Sequence, residues 1–164
     1  MPPTDQTELR AHVVKLLRGG NAHVGFDGAV RDLDAELAGR DAPELARTAW
    51  QIAEHMRVCQ RDILDYLTAV HYEEPPFPSG VWPDGASPPS EEAWQESLRQ
   101  FRADLQALIE LVDDPGTDLY ATLRGTDHTV LREALIVADH NAYHIGQLVL
   151  LRLALDADTA EIAF

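Results

Sequence analysis

The chain has 164 residues, 45% hydrophobic and 25% charged, a balance that suits one folded domain over residues 1–164 and excludes a disordered chain. Its 28 acidic and 13 basic residues give a formal net charge of -15; so negative a surface repels phosphate backbones and anionic lipid, so no nucleic acid and no membrane is expected as a partner. The lone Cys59 excludes an intramolecular disulfide, no apolar run approaches the roughly 20 residues that span a bilayer, and the start MPPTDQTELR has no export-signal pattern, so a cytoplasmic location is expected.

Helical periodicity dominates the chain, and strand signals are weak. Thr4 to Arg18 reads as a first helix, with Thr4 as N-cap and Gly19-Gly20 as its stop. Ala22 to Ala38 reads as a second, carrying Phe26, Val30, Leu33 and Leu37 at spacings of three and four and weakened by Gly25 and Gly28. A third is expected from Asp41-Ala42-Pro43-Glu44 to about Val70, with an apolar stripe of Leu45, Ala49, Ile52, Met56, Cys59, Ile63, Leu67 and Val70.

His71 to Pro89 holds six prolines and reads as a loop. Its apolar Phe77 and Trp82 imply that it lies on the rest of the protein. Ser90-Glu91-Glu92 opens the next helix, which runs through Trp94, Leu98, Phe101, Leu105, Leu108 and Leu111 to Val112 and stops at Asp113-Asp114-Pro115-Gly116. Thr117 to His128 is mixed. A last helix from about Thr129 to Leu155 is apolar nearly all round beyond Ile145, apart from Gln147 and Arg152, and reads as a buried central helix. The pattern predicts an all-α fold, a four-helix bundle with extra short helical pieces.

Seven histidines are many for this length. His12, His23, His71 and His128 sit at helix starts, loops or mixed faces and read as surface or capping residues. His140 and His144, in ADHNAYHIGQL, are four apart and stack on one helix face beside Val137, Leu148, Leu151 and Leu155. Two inward imidazoles need polar partners. They either converge on a metal ion or pack against polar neighbours. The residue after His140 is Asn141, so the HExxH peptidase pattern is excluded. His55, on the edge of the third helix's buried stripe, is a candidate third ligand; three imidazoles from two helices would leave coordination positions open.

The segments Trp50-Gln51-Ile52-Ala53-Glu54-His55-Met56-Arg57, Gln60-Arg61-Asp62-Ile63-Leu64 and Asp139-His140-Asn141-Ala142-Tyr143-His144-Ile145-Gly146-Gln147-Leu148, with Leu131-Arg132-Glu133, Trp82-Pro83 and Trp94, resemble the DinB/YfiT-like metal-binding family over nearly the whole chain. The resemblance implies a four-helix bundle, often a homodimer, with a divalent metal, zinc or nickel, held by His55, His140 and His144. It also implies an activity found in some relatives, transfer or isomerisation that uses a low-molecular-weight thiol. The alternative is a metal-containing binding or stress-response module without turnover. The chain departs from the family pattern at Leu45-Ala46-Arg47-Thr48 and in the tail from Leu153 to Phe164.

Near the proposed ligands, Cys59 reads as a fourth ligand, a redox-sensitive thiol or a small buried hydrophobe. Gln147 and Asp139 are candidates to orient ligands. Tyr143 and Trp50 either line a pocket or belong to the core. Glu54 points about 100° away from His55 on the helix, so no general base is assigned.

Overall fold

A computed structural model describes residues 6–43 and 45–155. Among the described residues there are four long helices and two short ones: α1 (Thr7–Arg18), α2 (Phe26–Ala29), α3 (Ala35–Ala38), α4 (Ala49–Thr68), α5 (Glu91–Asp113) and α6 (Val130–Ala154). Among the described residues there is no strand, only one isolated bridge between Thr122 and Thr129, as the sequence pattern predicts. None of these helices is long and apolar enough to cross a membrane.

α4 packs against α5 and α6, and α1 lies across the same two helices from the opposite corner. α1 buries Arg10, Val13, Val14 and Leu17, a stripe with spacings of three, one and three. The buried Arg10 guanidinium donates to the carbonyls of Val112, Asp114 and Thr117, which satisfies the open end of α5.

Two predicted helices differ from expectation. The expected Thr4 cap lies outside the described residues. The predicted helix over Ala22–Ala38 is two single-turn helices. Asp32 takes a left-handed φ of 60, and the Asp34 side chain accepts from Leu37 N and starts α3 afresh. An aspartate caps more readily than it continues a helix, and Trp94 Nε1 donates to Leu33 O at 2.6 Å and fixes the break. The helix predicted from Asp41 is α4 and begins at Ala49 instead. Thr48 and Gln51 form a reciprocal capping box at that point: Gln51 N donates to Thr48 Oγ1, and Thr48 N donates to Gln51 Oε1. It ends at Thr68, and Val70 is 88% exposed.

The remaining long helices match. Ser90 caps α5 through Ala93 N, and Thr129 caps α6 through Arg132 N. α6 is not buried all round, however. Leu150 and Leu153 are exposed, while Arg152 is buried and donates to Gly28 O at 2.5 Å. The proline-rich loop lies on the bundle through Val81 and Trp82, and Phe77 projects to solvent.

The core forms two apolar clusters. One joins α2, α3 and the first half of α4 to Trp94, Leu98 and Phe101 of α5 and the second half of α6. The other joins α1 to Leu64 of α4, Leu108, Ile109 and Val112 of α5 and the first half of α6. Between them runs a polar layer. Buried Gln60 donates to Phe101 O at 2.7 Å and accepts from Asn141 Nδ2 at 2.9 Å, which ties α4 to α5 and α6.

Thr48 also donates to Ala86 O, so it caps α4 and pins the loop together. Thr48→Ala is expected to cost about 1–2 kcal/mol, read as a lowered urea midpoint at unchanged slope, with Thr48→Ser restoring most of it.

Candidate metal centre

His55, His140 and His144 meet where α4 crosses α6 beside the polar layer. One ring nitrogen of each lies within 4.8 Å of those of the other two, and His55 Nε2 and His140 Nε2 are 3.2 Å apart. Two nitrogens bound at about 2.0–2.1 Å to one tetrahedral ion stand about 3.3 Å apart, so the observed separation fits a shared cation. His55 and His144 are buried and His140 is half-buried.

The outer nitrogens are held. His55 Nδ1 donates to the carbonyl of Val81 at 2.7 Å, and His144 Nδ1 donates to Gln147 Oε1 at 2.6 Å. A neutral imidazole carrying its proton on Nδ1 presents a lone pair at Nε2. Carbonyl or amide oxygen behind a histidine is the usual support of a metal ligand, because it fixes both tautomer and ring orientation. Without a cation, His140 Nε2 can donate across the 3.2 Å gap to the lone pair of His55 Nε2. The donor set fits a divalent ion on geometry, and on the tautomers of His55 and His144.

Burial depresses the proton affinity of all three rings. His140 is pushed down to about 4, first by desolvation, then by the charges of His144 and His55. His55 is lowered mainly by desolvation, against the Val81 bond that raises it. His144 is lowered by desolvation, against its bond to Gln147. All three rings are thus neutral near pH 7, the form that can ligate.

The surroundings sort the other candidates. Gln147 accepts from His144 Nδ1, where it could orient that ring toward an ion, whereas Asp139 is exposed. Trp50 is core and meets Trp94 edge-on at 6.4 Å. Tyr143 is 65% exposed and stands edge-on to His144 at 5.0 Å. Cys59 Sγ packs 3.5 Å from His55 Nδ1, outside the converging set, and burial pushes its thiol up to about 11. Glu54 is taken by Arg57 and Ser97. Of the other histidines, His12, His23 and His71 are exposed, and His128 approaches Glu133 at 3.2 Å.

One element escapes a reading of the sequence, and a second shows there only as a loop residue that packs on the protein. Val81 reaches the site only through the fold of the loop, and its carbonyl carries no sequence signal. Trp82 stacks flat on His55, with ring centres 3.8 Å apart and planes 1° apart; an aromatic in an otherwise proline-rich loop is the signal that pointed to it.

The model of the DinB superfamily matches residues 22–148, a stretch that runs from before α2 to within α6 and contains all three histidines. The chain belongs to the DinB superfamily. Comparisons with curated proteins and with solved structures returned no match. Membership agrees with the all-helical fold and with a histidine cluster able to hold a metal ion.

The depressed histidine pKa values set a pH dependence in metal-free protein. Each group binds protons in the unfolded chain before it does in the folded one. Stability is therefore full above the unfolded value of 6.5 and falls as pH drops toward about 4 for His140. Chelator-treated protein is expected to lose melting temperature between pH 7 and pH 5, and His140→Gln to lose less over the same interval. Equal losses would show that His140 is not the depressed group.

Proposed function

We propose that this DinB-superfamily protein holds one divalent cation, zinc or nickel, through His55, His140 and His144, and uses its open positions to bind a low-molecular-weight thiol for S-transfer. The convergence of three ring nitrogens, two of them backed by Val81 and Gln147, carries this reading. When bound, such an ion supplies Lewis acidity that keeps a small thiol as its thiolate near neutral pH.

The chain's own part is to hold and orient. Val81 and Gln147 keep protons on the outer nitrogens, so the inner lone pairs stay available. Trp82 covers one face of His55 and keeps water from it. Cys59, protonated near neutral pH, does not compete with an incoming thiol. A second reading, a metal-containing binding module without turnover, is favoured by one observation: Glu54 is committed to Arg57 and Ser97, and Asp139 faces solvent.

A homodimer fits the same molecule. α6 turns Leu135, Ile136, Tyr143, Leu150 and Leu153 outward on one face, an apolar strip of the kind that a second copy covers. Leu150→Glu is expected to halve the mass seen by light scattering; an unchanged mass would place the interface elsewhere or deny it.

The metal reading predicts about one ion per chain by elemental analysis, none in His140→Ala, and an affinity about 10–100-fold weaker in Gln147→Ala. In cobalt-loaded protein a small thiol is expected to shift the visible bands, and added electrophile to be consumed with the thiol. Band shifts without consumption would select the binding module; equal, negligible metal in wild type and His140→Ala would overturn both.

A further inference from the structure

The corner where the loop meets α4 holds a cation that the site described so far does not use. Arg47 is exposed, one residue before the Thr48 cap, and its guanidinium carbon lies 4.5 Å from the centre of the Trp82 ring. That same ring stacks on His55 at 3.8 Å. The two stacking distances put the Arg47 charge within about 8 Å of the His55 ring, close to one Debye length at physiological salt.

Arg47 differs from nine of the twelve arginines of this acidic chain. Arg40, Arg57, Arg61, Arg99, Arg102 and Arg132 each pair with a carboxylate, and Arg10, Arg124 and Arg152 donate to backbone carbonyls. Among the described residues Arg47 has no carboxylate partner and only the Trp82 face beneath it. A guanidinium stacked on an aromatic keeps its in-plane N–H donors free for a planar acceptor. The corner is also held in place: Thr48 donates to Ala86 O, and His55 Nδ1 to Val81 O, on either side of the Trp82 segment.

We propose that Arg47, laid on Trp82, is the anchor for a carboxylate carried by the small molecule that binds at the three histidines. This rests on the proposed ion site. The donor geometry matches a carboxylate in a two-point contact. A single guanidinium in a chain of net charge -15 also suits a singly charged group better than a phosphate dianion, which the whole-protein field repels about twice as strongly. Arg47 is thus a binding residue that sets specificity: it selects anionic over neutral thiols against the sign of the overall field.

The test compares 5-mercaptopentanoate with 5-mercaptopentanol, a pair alike at the sulfur and too long to close a small chelate ring. Each is titrated into cobalt-loaded protein and followed by the visible bands. Wild type is expected to bind the carboxylate about tenfold more tightly, with the preference shrinking as salt rises. Arg47→Gln should abolish or reverse the preference while leaving the pentanol affinity and the cobalt stoichiometry unchanged; Arg47→Lys should keep part of it. Equal affinities in wild type, or a preference untouched in Arg47→Gln, would overturn the inference and leave the ion site standing. Cobalt bound with no response to either thiol would overturn the thiol reading and this inference with it.

Discussion

Everything in this bundle is arranged around a polar layer that the core cannot dispense with. Two apolar clusters pack above and below it, and α4, α5 and α6 pass through it. Polar groups taken out of water need partners, and each one left alone costs about 1–3 kcal/mol. Gln60, the Asn141 amide N–H and the Phe101 carbonyl answer that requirement within the chain, while Asn141 Oδ1 is buried without a hydrogen-bond partner among the described residues. The imidazoles answer it on two outer sides, His55 through Val81 and His144 through Gln147, and across one inner contact, His140 Nε2 to His55 Nε2 at 3.2 Å. Their ring nitrogens converge closely enough that the set could hold a metal ion.

The same constraint explains the electrostatics. Burial keeps the rings neutral, the form in which imidazoles could ligate a cation. The chain as a whole carries -15, which attracts cations in general. Cys59 shows the contrast. It lies one helical turn from His55, yet burial raises its thiol instead of activating it, so it packs as a small side chain. The loop supplies what the helices do not: a carbonyl behind His55, and an indole across its face.

Much of this was legible in the residues. The long helices follow from apolar spacing, and α5 and α6 begin at Ser90 and Thr129 because their hydroxyls satisfy open N–H groups. His140 and His144 announce themselves by a spacing of four. What failed did so for local reasons. The expected helix over Ala22–Ala38 broke because Asp34 caps better than it propagates, and α4 started late because the Thr48–Gln51 box outcompetes Asp41. The stripe assumed for α4 was slightly misphased. The buried line is Ile52, Met56, Gln60 and Leu64, and a stripe drawn through apolar residues alone passes over Gln60 and the layer that it anchors. α6 looked buried on every side because its outward leucines are as apolar as its inward ones. Contacts that come through a loop, such as Val81 on His55 and Arg47 on Trp82, have no periodicity to betray them.

X-ray absorption at the edge of the metal carried by the purified protein addresses the central claim most directly. Three imidazole nitrogens at about 2.0–2.1 Å, completed by exchangeable light-atom ligands, are the result this account predicts. A sulfur scatterer at about 2.3 Å in thiol-free buffer, or fewer than three imidazoles around the ion, would contradict it.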